Sequence, residues 1–184
     1  LRGIVYSQFC EVHTTTFDYQ YPDPVICVLD PHDRQPHHLI WAIIDRTDDI
    51  FVHSEMSIHC TVAELAAKVK KLEKDMGYNV RRRIIDPNFG RKPLIITGRN
   101  MIEELHHEGC SGWMEADDAK DEGHLKVKDY LRFQRNQPIS EINKPKLFFH
   151  KERVPKTIHS VRNYQYEDWI GKIAGERDPK EKPK

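Results

Sequence analysis

The chain has 184 residues, 29 basic and 29 acidic, and is 38% hydrophobic, enough for one domain with a real core. Zero formal net charge argues against a histone-like polycation, and the aliphatic and aromatic clusters argue against wholesale disorder. No apolar run approaches the roughly 20 residues that cross a bilayer, so no membrane partner is expected.

The chain opens at Leu1 without methionine and without a signal-peptide pattern, as expected of a piece cut from a longer protein. Val25 to Asp30 is a short apolar run ending in an acid, read as a strand buried on both faces. His38–Ile44 and Ile50–Met56 follow as two more strands, separated by the polar turn 45–49, with the first two or all three of the strands antiparallel. Thr61 and Glu64 form a capping box for a helix whose Val62, Leu65, Ala66, Val69, Leu72 and Met76 share one face, and Gly77 ends it. Residues 83–86 read as a fourth strand, stopped by Pro87 and again ending in an acid.

Residues 88–93 read as a loop, 100–107 as a helix, 112–115 as a short strand and 125–133 as a second amphipathic helix. A strand is expected at 146–149 and an extended or partly paired segment at 157–166. Residues 176–184 are charged and contain proline, as in a flexible end, which leaves 1–175 as the folded domain. Three strands, a helix, a fourth strand and further helices make an α/β fold, a mixed sheet with flanking helices. The ribonuclease H-like order is one such arrangement.

Charge is uneven along the chain. Residues 1–60 hold 3 basic and 9 acidic side chains, and 61–100 hold 10 and 4. Such blocks cancel in the total while giving the surface distinct acidic and basic regions. An acidic site flanked by basic segments is what a metal-dependent enzyme acting on a polyanion needs, although a solvated charged surface has the same composition.

Asp30 and Asp86 are the most informative residues. Each ends a hydrophobic strand and precedes proline, so each carboxylate projects from a sheet edge into the crevice where open α/β sheets bind ligands. If the two strands are neighbours, the carboxylates converge, and a hard cation such as Mg²⁺ or Mn²⁺ relieves their repulsion. Two such ions about 4 Å apart activate water and stabilise the leaving oxygen of a phosphodiester. Asp-Pro is also a common turn dipeptide, so turn formation alone would explain the same residues. Asp33 is a further candidate for the same metal. Strand alternation puts Glu55 on the side of Phe51 and His53, as a solvated edge residue.

Arg91, Lys92, Arg99, Lys126 and Lys128 follow the fourth strand and are candidates for sequence-independent phosphate contacts to DNA. Among the eleven histidines, His106 and His107 are adjacent on a helix and diverge, and no zinc spacing occurs, so no zinc is expected. There is no Gly-x-Ser-x-Gly elbow and no phosphate-cradling glycine loop, so neither a serine hydrolase nor an ATPase is supported. The four cysteines have no paired spacing and read as reduced thiols of a cytosolic protein.

Several segments resemble, in order, the nuclease domain of viral large terminase subunits. They are Gly3 to Tyr6 with Phe9 and His13, Val25 to Pro31, Phe51 to Glu55, Ile84 to Pro87, Thr157-Ile158, Tyr164 to Tyr166, and the closing residues Arg177 to Lys184. The resemblance implies a ribonuclease H-like domain that cuts concatemeric viral DNA during genome packaging, in the host cytoplasm. It implies a two-metal Mg²⁺ or Mn²⁺ site in which Asp30 and Asp86 are catalytic ligands. It implies partners in double-stranded DNA, the portal and the small terminase subunit, and ATP only in an upstream motor domain. A third metal-binding acid is expected beyond Lys184, because Asp168 and Asp178 are the only late aspartates and neither has the expected context. Other readings are another ribonuclease H-like phosphoryl-transfer enzyme, such as a resolvase or transposase core, and a non-catalytic DNA or protein docking module.

Overall fold

The computed structural model describes residues 3–94, 97–117 and 119–165. Alternation of buried and half-buried side chains builds the middle of the sheet. In β2 (Pro24–Asp30), Val25, Cys27 and Leu29 are buried, and in β3 (His37–Ile44), Leu39, Trp41 and Ile43 are buried. The two strands pair antiparallel, and β3 pairs antiparallel with β4 (Ile50–Ile58). This is the three-stranded unit expected from the sequence.

Helix α1 (Val62–Asp75) then crosses one face of the sheet, with the Thr61–Glu64 capping box formed and Leu65, Ala66 and Val69 buried. Gly77, at φ +64°, supplies the left-handed residue that turns the chain away from the helix. The crossover delivers β5 (Asn79–Ile85) parallel to β2, and β6 (Trp113–Glu115) adds parallel to β5. At the far side, β7 (Leu147–His150) pairs parallel with β4, and the two-residue β1 (Thr14–Thr15) pairs with β7. The complete order is β1-β7-β4-β3-β2-β5-β6, and its segment from β4 to β6 has the ribonuclease H-like arrangement.

Each face of the sheet has its own core. On one, Trp41, Leu39, Leu65, Ile85 and Leu105 pack α1 and α3 (Met101–His107) against the strands. On the other, Val52, Leu131, Phe149 and Val154 gather α4 (Lys120–Tyr130) and α5 (Pro155–Asn163). At 25 cal/mol per Å² of apolar area, burying one such aliphatic side chain contributes about 2 kcal/mol.

Several elements differ from the sequence reading; the fourth strand, for one, starts at Asn79, four residues before its expected limit. The segment expected to be extended from 157 is helical through Asn163, because Ile158 and Val161 at helical spacing meet the second core. Only Gln165 pairs as expected, in a bridge to Ile4, and Tyr166 lies outside the described residues. The second late helix starts at Lys120 and ends at Tyr130, five residues before and three before the expected limits. The expected loop after Asp86 begins as a single helical turn, α2 (Pro87–Gly90). The tail at 176–184 lies outside the described residues.

Candidate functional site

The parallel register Leu29↔Ile85 sets the ends of β2 and β5 side by side, about 4.8 Å apart in the pairing direction. The Asp86 amide donates to the Leu29 carbonyl at 3.2 Å, which extends the pairing one residue past the strand. Asp30 and Asp86 therefore stand next to each other at the carboxyl edge of the sheet, and the β2–β5 pairing supplies the condition on which the sequence reading made their convergence depend.

Their settings differ. The Asp30 side chain is 58% exposed, and its Oδ2 lies 3.3 Å from His32 Nε2. Asp86 Oδ1 accepts the Asn88 amide at 2.8 Å, so this carboxylate also caps α2. The turn reading and the ligand reading of Asp86 are thus compatible, since one oxygen caps and the second accepts no hydrogen bond among the described residues. Gly90 lets α2 sit close to the sheet: a Cβ there would stand 3.2 Å from Ile85 Cγ2 and 3.3 Å from Ile102 Cδ1.

A third acid stands at the same edge. Glu115 ends β6 directly beside Ile85, and the Ala116 amide donates to the Ile85 carbonyl at 2.9 Å. Arg91 grips Glu115 with both Nε, at 2.8 Å, and Nη2, and this hydrogen bonding holds the carboxyl below the usual range. Sequence reasoning identified the 112–115 strand but drew nothing from its closing acid. The signal was there, because an acid closes or directly follows each of β2, β5 and β6. A cavity of about 490 Å³ beside Asp86 is lined by Pro87, Asn88, Arg91, Ala116 and Asp117.

The other predicted residues fall in three places. Asp33 and Lys92 form an exposed ion pair at 2.6 Å, and the Lys92 ammonium also lies 5.4 Å from the Phe89 ring centre. Arg91 and Lys92 thus belong to the edge that carries the aspartates. Arg99 precedes α3 and pairs with Glu104 at 3.2 Å. Lys126 and Lys128 lie on α4, whose end is fastened by Tyr130 and Lys146 to the amino end of β4, away from the aspartate edge.

Glu55 departs from its expected setting. His53 is skipped in the pairing of β3 with β4, where Trp41 faces Ser54 and Ala42 faces Val52. This bulge breaks the alternation, so His53 and Ser54 both reach the Tyr78 hydroxyl while Glu55 turns to the opposite face. There it is not a solvated edge acid. It accepts the Lys156 and Thr157 amides at 2.9 and 2.8 Å and caps α5 from outside that helix.

Among the described residues, Glu104, His107 and Glu108 have potential metal-donor atoms within 4.8 Å of one another. His106 is not among them, in keeping with its divergence from His107, and the group is on α3, not at the aspartate edge. All four cysteines are free thiols. No helix among the described residues is long and apolar enough to cross a membrane. Asp168, Asp178 and the place expected for a further acid lie outside the described residues.

No family model and no curated protein matches this sequence. Solved structures do match, and they define the fold as that of the phage large terminase nuclease domain. The P22 large terminase nuclease domain superposes with a TM-score of 0.62 at 15% identity, over 92% of this chain and 82% of that one. The large terminase of a thermophilic bacteriophage, in complex with ATP-gamma-S, gives 0.71 at 15% identity over 98% of this chain. The HK97 bacteriophage large terminase gives 0.57 at 12% identity over 88% of this chain. The chain spans 41% of the thermophilic phage protein and 36% of the HK97 protein.

Proposed function

We propose that this domain is the metal-dependent DNA endonuclease of a large terminase, cutting concatemeric viral DNA during packaging. The observation that carries the reading is the Leu29↔Ile85 register, which sets Asp30 beside Asp86 in a fold shared with the P22 nuclease domain.

The donor set fits hard divalent cations. Asp30 offers an exposed carboxylate, and Asp86 keeps one oxygen beyond the one that caps α2. Asp30 and Asp86 would hold Mg²⁺ or Mn²⁺, while Asp33 would first exchange its bond to Lys92 and so contributes less. When bound, a pair of such ions supplies Lewis-acid polarisation of the scissile phosphate and a water of lowered pKa. The chain itself provides the alignment: α2, seated through Gly90, fixes Asp86, and the β2–β5 pairing fixes Asp30 beside it. Arg91 and Lys92 bring positive charge to the same edge, where they hold backbone phosphates without reading bases. The associated proposals are a portal and small-subunit partnership, an ATP-driven motor domain elsewhere in the protein, and work in the host cytoplasm.

Plasmid nicking and calorimetric Mn²⁺ titration test the reading together. Wild-type protein should nick supercoiled DNA in Mn²⁺, and folded Asp30→Ala should lose both nicking and most Mn²⁺ heat. Equal nicking by the two proteins would overturn the assignment.

A further inference from the structure

The cap on α5 has a consequence at the aspartate edge. Glu55 Oε2 accepts the Thr157 hydroxyl at 2.7 Å as well as the Thr157 amide. A carboxylate only accepts, so the single hydroxyl proton of Thr157 is committed to Glu55. Thr157 Oγ1 also lies 3.2 Å from His38 Nε2. With its proton already given away, that oxygen must accept, so neutral His38 carries its hydrogen on Nε2. Its Nδ1 is then the acceptor nitrogen.

His38 is the cross-strand partner of Asp30. Directly opposed residues share one face of a sheet with their Cβ atoms about 5 Å apart, so His38 stands over the same face as the Asp30 carboxylate. The relay Glu55–Thr157–His38 spans β4, α5 and β3, and nothing in the sequence pattern joins its three members.

We infer that Glu55 and Thr157 are positioning residues that lock His38 as the Nε2–H tautomer, so that its Nδ1 accepts a hydrogen bond from the water attacking the DNA phosphodiester beside Asp30. The inference rests on the nuclease reading and adds an oriented imidazole to its carboxylates. His38 aligns the water oxygen toward phosphorus, and no bond to His38 forms or breaks. A misplacement of about 1 Å in such a contact costs up to about 100-fold in rate.

Two measurements on the full chain test this. Long-range ¹H–¹⁵N spectra at pH 8 should show His38 protonated at Nε2 in the wild type and a tautomer mixture in Thr157→Val. In plasmid nicking with Mn²⁺, His38→Ala should lose about 100-fold in kcat and Thr157→Val about tenfold, both with KM for DNA unchanged. Thr157→Ser, which keeps the hydroxyl, should recover most of the loss and the single tautomer. A wild-type Nδ1–H tautomer would overturn the inference, as would His38→Ala nicking at the wild-type rate where Asp30→Ala is dead. If Asp30→Ala nicks like the wild type, the nuclease reading itself has failed, and the role of His38 falls with it.

Discussion

Two polar clusters on one sheet meet solvent in opposite ways. At the carboxyl edge, Asp30 and Asp33 are more than half exposed, and their neighbours are cationic or imidazole groups in reach of water. In the interior, His53 is 1% exposed, its Nδ1 faces the Tyr78 hydroxyl and Ser54, and its Nε2 is buried with no hydrogen-bond partner among the described residues. Burial drives His53 down to about 4 and Tyr78 up to about 12, so both stay neutral at physiological pH. The interior cluster resembles a catalytic constellation by residue type, yet its His53 and Ser54 are buried. The edge is where charged side chains stay open to a ligand; the interior polar groups organise packing around the β4 bulge.

The largest effect expected from this contrast is at the edge. Asp30→Ala and Asp86→Ala should each abolish Mn²⁺-dependent nicking. Asp30→Ala should leave the thermal midpoint within about 2 °C of the wild type, as expected for an exposed side chain. Asp86→Ala should fall slightly further, since it also removes the cap of α2, worth about 1 kcal/mol. A melt of each variant beside its nicking assay separates lost chemistry from lost fold.

Interior charge should behave in reverse. Glu73, 8% exposed, accepts from Trp41 Nε1 and from Arg83 Nε, both at 3.2 Å, and pairs with Arg83 Nη2. Glu73→Ala leaves the Arg83 guanidinium half-buried without its carboxylate, and should cost about 3 kcal/mol in urea unfolding. Glu73→Gln should cost less, because its amide oxygen still accepts.

The His53 ring sets a pH signature. Its folded value of about 4 lies below the ordinary 6.5, so the unfolded chain binds the proton more readily. The stabilisation is complete above about pH 6.5 and is lost as pH falls toward 4, an amount on the order of 3 kcal/mol. Subtracting the urea stability of His53→Gln from that of the wild type at each pH should isolate this slope. A difference that stays flat from pH 7 to pH 4.5 would show that the ring is accessible in the native state.

The smallest expected effect concerns DNA affinity. Charge reversal at Lys92 should weaken binding severalfold at low salt and reduce its salt dependence, whereas reversal at Lys180 or Lys182 should change little. Fluorescence anisotropy with a labelled duplex at several salt concentrations measures both. Equal losses would indicate diffuse attraction and not a groove beside the aspartates.

Much of this was legible along the chain. The apolar runs of β2 and β3, the Thr61–Glu64 cap of α1 and the two Asp-Pro pairs depend on neighbours within a few residues, and local patterns report such contacts directly. The convergence of Asp30 with Asp86 was conditional in the sequence, because 55 residues and a crossover helix separate them. Only strand pairing sets their register. Alternation failed at Glu55 for a related reason: a bulge inserts one residue against a partner strand, and no periodicity within β4 records it. Glu115 joined the edge through β5, and His38 gained its tautomer through a helix more than a hundred residues later. The sequence by itself determined which residues carry charge at the ends of strands, since that is a matter of composition and local period. Which of those ends lie together, and which imidazole nitrogen of His38 meets Thr157, only the tertiary structure decided, because those contacts exist between segments that first meet when the sheet closes.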